Sequence, residues 1–150
     1  MLSPVDRDVI RRKLDRIVKC LQRMRQAEQE TLDQYLDDLD LQFIIERQLE
    51  LAIGAAVDAN VHILAHMGLG TPADAFTSFL ELSRLTQAIP QDLAQRLAPS
   101  TGLRNRLAHE YEALDQKMVY QGMHTALELF PQYIAAIETY LSQTIPESGR

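Results

Sequence analysis

The sequence predicts an all-α bundle of four to five helices, and three observations support this fold class. Apolar residues recur every three or four positions over long segments, as expected where one helix face packs on another. The composition is rich in Leu, Ala, Gln, Glu and Arg, lacks Trp and is 6% aromatic, which favours helices over strands. No segment combines apolar–polar alternation with turn residues, so we predict no sheet.

The first half of the chain is expected to hold two long helices. The first is predicted over residues 6–28, after Pro4, because a proline in the first helical turn has no intrahelical donor to lose. The acidic segment 31–40 predicts a short turn of helix followed by a break. The second long helix is predicted over 41–67 and ends where Gly68, Gly70 and Pro72 follow closely.

The second half predicts shorter helices and one long one. A helix over 73–88 is ended by Pro90, and the next begins near Pro90, is interrupted at 99–102 and resumes over 103–110. The last helix is predicted over 115–145, with a local kink at Pro131 and a frayed tail. We find neither a repeat nor a linker, so the expectation is a single domain spanning 1–150.

Charge is unevenly distributed along this acidic chain. The net charge is −6, but residues 1–25 carry +5 and residues 26–60 carry −8. The basic first helix is either a solvated face or a surface for RNA or a partner protein, and Arg11 and Arg12 are weak candidates for RNA approach.

The single cysteine and the lack of long apolar segments both bear on the cellular compartment. Cys20 is the single cysteine, which excludes an intrachain disulfide framework, and we expect it to be a buried helix residue. We detect neither an export signal nor an apolar segment long enough for a membrane span. The chain is therefore expected in the cytoplasm, without a membrane partner.

Polar residues with catalytic potential concentrate in residues 103–111. Asn105 and His109 share one helix face, whereas Arg104 lies roughly 140° around the helix from His109. One helix therefore does not direct Arg104 and His109 at one small target, but two copies related by a two-fold axis bring them to a shared cleft. A guanidinium that holds a phosphate and an imidazole that transfers protons suit metal-independent RNA cleavage. A surface arginine and a histidine capping helix carbonyls explain the same spacing.

Residues 104–111 read RNRLAHEY, which resembles the signature of the HepT-like HEPN family. The resemblance covers nearly the whole chain. Segments 45–53 (IERQLELAI) and 57–63 (VDANVHI) are similar to that family's second helix, the apolar pattern in 72–82 resembles its third, and 111–115 (YEALD) resembles the turn after the signature. Gly54 departs from the pattern, because a larger and often acidic residue is expected there.

The resemblance implies a HEPN bundle that dimerises with two-fold symmetry and forms a composite ribonuclease site. On this basis Arg104 and His109 match the catalytic pair, Asn105 matches the polar residue beside it, and no cofactor or metal is implied. Members are toxins paired with an MntA-like nucleotidyltransferase antitoxin, which transfers AMP from ATP onto the signature tyrosine, here Tyr111. Added phosphate beside the cleft would compete with the RNA phosphate. The alternatives are a non-catalytic HEPN module that serves a nucleotidyltransferase and, ranked lower, a helical dimerisation protein.

Other polar residues favour structural roles. Asp58, His62 and His66 lie on one face of the second long helix, but their apolar neighbours favour hydrogen-bonded helix residues over a metal site. Asp58 is alternatively a residue lining the dimer cleft. Glu46 and Glu50 are interpreted as surface or intersubunit ion pairs. His124 is expected to be structural or exposed, and Tyr133 and Tyr140 are expected in the core.

Overall fold

The computed structural model describes residues 1–109 and 114–143, which form a helical bundle without strands, confirming the predicted fold class. The helices are α1 (Pro4–Arg25), α2 (Leu32–Leu36), α3 (Leu39–His66), α4 (Ala75–Glu81), α5 (Gln91–Leu97), α6 (Ser100–His109) and α7 (Gln116–Gln143). A single π-helical turn, Leu82–Thr86, continues α4.

Helix α1 begins earlier than predicted because Ser3 and Asp6 cap it reciprocally. The Ser3 hydroxyl accepts from the Asp6 amide at 3.0 Å, and Asp6 Oδ2 accepts from the Ser3 amide at 2.9 Å. This capping box satisfies amide groups that have no partner within the helix. The helix therefore starts at Pro4 and ends at Arg25, three residues before the predicted end.

The predicted break within 31–40 is confirmed. The Tyr35 side chain is fully buried and anchors α2, and the Gln42 amide donates to the carbonyl oxygens of Tyr35 and Leu36. The Asp38 side chain then accepts from the Leu41 amide and caps α3. Helix α3 thus begins two residues earlier than predicted and ends one residue earlier.

The region between α3 and α7 differs most from the prediction. The helix predicted over 73–88 is divided into α4 and a π turn, and α6 begins at Ser100 rather than at 103. The hydroxyls of Ser100 and Thr101 donate to the carbonyl oxygens of Leu97 and Ala98. These bonds satisfy carbonyls at the end of α5, so the chain needs only a short interruption at Pro99.

The core lies where α1, α3 and α7 pack against one another. Cys20 and Tyr133 are buried as predicted, and burial raises the pKa of both side chains. The Tyr133 hydroxyl bonds Asn60, whose amide donates to the Ser78 hydroxyl at 3.2 Å, so α7, α3 and α4 share one buried polar network. Helix α7 continues through Pro131; the local kink stays a prediction.

Tyr140 is also buried, as predicted. Among the described residues, we find no helix that combines the length and the apolar character required for a membrane span.

Candidate functional site

Helix α6 places Arg104 in an open cleft of about 280 Å³ between α1, α3 and α6. The half-buried guanidinium lies across α3 at Gly54, where an added Cβ would be 3.9 Å from both Nε and Nη2 of Arg104. The missing side chain at residue 54 therefore leaves the floor of the cleft open to Arg104. A larger or acidic side chain at this position would therefore have the Arg104 guanidinium as its neighbour.

Cations outnumber carboxylates in this cleft. Its charged lining residues are four cations and two carboxylates: Lys13, Arg16, Arg47, Arg104, Glu50 and Asp58. Both carboxylates are paired, since Asp58 lies 3.5 Å from Lys13 and Glu50 lies 3.0 Å from Arg47. A net positive cleft in a chain of net charge −6 locally favours the approach of an anion.

Arg104 has a buried hydrogen-bond donor without a partner among the described residues. Its Nε atom is buried and has no hydrogen-bond partner within the described part of the chain. Buried polar groups in proteins are nearly always hydrogen-bonded, and an exception calls for an explanation such as a ligand. The Arg104 side chain also lines the basic cleft, and a guanidinium binds phosphate oxygens through charge-assisted, often bidentate hydrogen bonds.

Helix α7 packs against α6 next to Arg104. A Cβ at Gly122 would overlap Leu103 Cδ2, so the glycine allows Leu103 to pack closely on α7. Leu103 immediately precedes Arg104, so this contact joins α6 to α7 next to the arginine. Sequence reasoning gave no role to Gly122.

The other signature residues lie elsewhere on α6. Asn105 and His109 are exposed, and neither is among the described residues that line the Arg104 cleft. Within one chain the structure therefore does not bring Arg104 and His109 to the same cleft, as their angular separation on one helix predicted. Tyr111 lies outside the described residues.

The two arginines considered for RNA approach face different neighbours. Arg11 lies 3.4 Å from Glu138 of α7, whereas Arg12 lines a second groove with Asp15, Arg16 and Lys19. Arg16 also lines the Arg104 cleft, so this groove and the cleft adjoin. The Arg11 guanidinium is directed to a carboxylate rather than into the groove, and its role in RNA approach stays a prediction.

Sequence reasoning did not find Lys13, Arg16 and Arg47 as residues of the cleft. The one signal for them was the excess of positive charge in residues 1–25. That excess does not identify which cations face α6, because this depends on how α1 packs on α3.

Asp58, His62 and His66 are hydrogen-bonded or ion-paired helix residues, as the sequence interpretation favoured, but they do not share one partner. Asp58 pairs with Lys13 and lines the Arg104 cleft, whereas both histidines contact Asp6 of α1. Because α1 packs along α3, it supplies a carboxylate that helical spacing within α3 does not reveal.

The interpretation of the two glutamates holds in part. Glu50 pairs with Arg47, but Glu46 accepts a hydrogen bond of 3.0 Å from the Gln116 side chain. Glu46 therefore joins α3 to α7 through a neutral partner rather than through an ion pair. His124 packs edge-on against Tyr120, with ring centroids 4.7 Å apart, in keeping with a structural role.

Two sequence relatives and one solved structure resemble the chain over most of its length. It is 36% identical to a tRNA nuclease HepT from Aphanizomenon flos-aquae over 93% of this chain and 95% of the relative. It is 30% identical to an mRNA nuclease HepT from Shewanella oneidensis over 87% and 97%. A solved structure of a tri-AMPylated Shewanella oneidensis HEPN toxin, in complex with its MNT antitoxin, superposes with a TM-score of 0.77 at 30% identity, covering 88% of this chain and 98% of that one.

The family described as ribonuclease HepT-like matches residues 10–137, which include the whole Arg104–Tyr111 signature and all the residues that line the cleft. The match therefore extends over the fold and the signature together. The chain belongs to the ribonuclease HepT-like family.

Proposed function

We propose that this chain is a metal-independent endoribonuclease toxin, acting as a single-domain HEPN homodimer in the cytoplasm and neutralised by AMP transfer to Tyr111. The observation that carries the proposal is the unpartnered guanidinium nitrogen of Arg104 in a basic cleft of an acidic protein. The family's tRNA and mRNA nucleases support RNA as the substrate.

In the proposed reaction, the ribose 2′-oxygen attacks the adjacent phosphorus and the 5′-oxygen leaves. A base removes the 2′-hydroxyl proton, and an acid protonates the departing 5′-oxygen, which gives a 2′,3′-cyclic phosphate and a 5′-hydroxyl. Arg104 binds the non-bridging phosphate oxygens as charge accumulates on them. His109 transfers a proton, and the two histidines of a dimer supply one base and one acid. Asn105 orients the imidazole or a phosphate oxygen.

The proposed partner is a nucleotidyltransferase antitoxin of the MntA type. A structurally similar toxin is tri-AMPylated and bound to its antitoxin, which supports the same relationship here. Transfer of AMP from ATP to the Tyr111 hydroxyl forms a phosphodiester and releases pyrophosphate. The added phosphate places negative charge beside a site that must receive an RNA phosphate.

The test of the enzyme is the replacement of Arg104 and of His109 by alanine. We expect Arg104→Ala to lower RNA cleavage by about 100- to 1000-fold, because it removes a charged donor to the transition state. We expect His109→Ala to lower it by about 100- to 10,000-fold through loss of proton transfer. The measurements are growth arrest on expression and cleavage of total RNA by purified protein.

Two matched variants serve as controls. Arg106→Ala removes an exposed arginine two residues from Arg104, and His124→Ala removes a histidine that packs on Tyr120. Both are expected to cleave RNA like wild type. Equal behaviour of wild type, Arg104→Ala and His109→Ala would instead favour a non-catalytic HEPN module that serves the nucleotidyltransferase.

The modification is tested separately by incubating the chain with the cognate nucleotidyltransferase, Mg²⁺ and ATP. We expect one or more adenylate masses on the peptide that contains Tyr111, and loss of RNA cleavage in proportion to the modified fraction. Tyr111→Phe should remain unmodified and should escape neutralisation by the nucleotide transfer. Adenylate found only on another residue would refute this assignment without affecting the ribonuclease proposal.

A further inference from the structure

A cluster of three metal-ligating side chains lies outside the Arg104 cleft. Asp6 belongs to the first turn of α1, and His62 and His66 lie near the end of α3. Asp6 Oδ1 is 3.0 Å from His62 Nε2 and 3.2 Å from His66 Nδ1. Two imidazole nitrogens therefore converge on one carboxylate oxygen.

The carboxylate of Asp6 is held in this orientation by its own helix. Its other oxygen, Oδ2, accepts hydrogen bonds from the Ser3 amide at 2.9 Å and the Ser3 hydroxyl at 2.8 Å. The backbone bond from Ser3 and then the hydroxyl bond lower the pKa of Asp6 to about 2. Oδ1 is thus left for the histidines, and outer contacts of this kind orient the ligands in known metal sites.

The spacing of the three atoms suits a metal ion. They all lie within 4.8 Å of one another, and a tetrahedral ion with bonds of about 2.0 Å separates its ligand atoms by about 3.3 Å. Histidines at i and i+4 of one helix lie on the same face. Here their rings are nearly parallel, with centroids 4.1 Å apart.

We propose that Asp6, His62 and His66 bind one divalent transition-metal ion of the Zn²⁺ class, which ties the N-terminal turn of α1 to the C-terminal turns of α3. Imidazole and carboxylate ligands suit zinc, nickel and cobalt better than magnesium or calcium. Three protein ligands leave the remaining coordination positions to water. The cluster is open to solvent on the side of His66, whose side chain is half-exposed.

This site is distinct from the proposed ribonuclease site. His62 follows Gly54 by eight residues on α3, which places it about 12 Å further along the helix axis than the contact with Arg104. The Lys13–Asp58 ion pair joins α1 to α3 between the Arg104 cleft and the Asp6–His62–His66 cluster. A metal that binds only the folded chain stabilises it by mass action, so thermal stability reports binding without any assay of RNA cleavage.

The test uses the full chain without a histidine tag, freed of metal with a chelator that is then removed. Zn²⁺ affinity is measured by competition with a chromophoric chelator, and Co²⁺ is added in parallel, because its visible spectrum reports the ligand geometry. We expect one ion per chain, a rise in Tm with Zn²⁺, and at least about 10-fold weaker binding in His62→Gln and in His66→Gln.

Asp58→Asn is the matched control, because it removes a carboxylate from α3 one helical turn before His62 without touching the cluster. It should bind Zn²⁺ and gain Tm like wild type. The proposal is overturned if wild type binds Zn²⁺ no more tightly than His66→Gln, or if Zn²⁺ raises the Tm of both equally. Circular dichroism of each metal-free variant verifies that it is folded.

Discussion

At the scale of single residues, Gly54 links the sequence to the candidate site. It is a weak helix former in the middle of α3, yet it is the residue over which the Arg104 guanidinium lies. Sequence comparison with the family pattern marked Gly54 as a departure but could not give the reason. The structure shows that this position faces Arg104, a residue fifty positions away in the chain.

The packing at Gly54 predicts opposite effects for a small and a large replacement. Gly54→Ala adds a Cβ at an ordinary contact distance of 3.9 Å, so we expect RNA cleavage close to wild type. Stability should rise by up to about 1 kcal/mol, because alanine is the better helix former. Gly54→Leu should displace Arg104 and lower cleavage as strongly as Arg104→Ala does. Thermal unfolding and RNA cleavage measure the two effects, and a fully active Gly54→Leu would contradict this role.

At the scale of elements, α1 has three different faces. One packs its apolar stripe on α3, one directs Arg11 to Glu138 of α7, and one lines the groove and cleft with Arg12, Lys13 and Arg16. The excess of basic residues in this segment was evident from the sequence. Their division between α7 and the groove follows from the rotation of α1 about its axis, which packing sets.

This division predicts that Arg12 contributes to RNA binding and Arg11 does not. In the His109→Ala background, where RNA stays intact, Arg12→Gln should weaken binding to single-stranded RNA. It should also reduce the slope of log affinity against log salt by about 0.7, as expected for one lost phosphate contact. Arg11→Gln is the control and should keep the slope unchanged. Equal slopes for both variants would exclude the groove from the RNA path.

At the scale of the whole molecule, the proposed mechanism needs two chains to bring the signature residues together. Arg104 lies in the cleft while His109 is exposed at the end of α6, so one chain does not join them. A two-fold axis beside α6 would bring Arg104 of one protomer and His109 of its partner to one phosphate. The composite site remains a proposal, and its direct consequence is that activity depends on assembly.

We therefore expect light scattering to give about twice the chain mass of 17.0 kDa. RNA cleavage per chain should be constant at high protein concentration and should fall on dilution below the dimer dissociation constant. A chain that elutes as a monomer and keeps full activity per chain would disprove the composite site.

The sequence by itself determined the helical class, the presence of the three long helices α1, α3 and α7, and the family signature at residues 104–111. These properties depend on the spacing of residues that are close in the chain, which periodicity and capping rules describe. The π turn after α4 and the early start of α6 were not predicted from the sequence. Hydrogen bonds from side-chain hydroxyls, together with packing, shift helix boundaries by a few residues.

Tertiary structure alone decided which distant residues meet. It placed Arg104 over Gly54, directed Arg11 and Arg12 to different neighbours, and gave His62 and His66 the carboxylate of Asp6 rather than that of Asp58. The physical reason is that the rotation and axial shift of one helix against another are set by how all their side chains interlock. No spacing within a single helix contains that information.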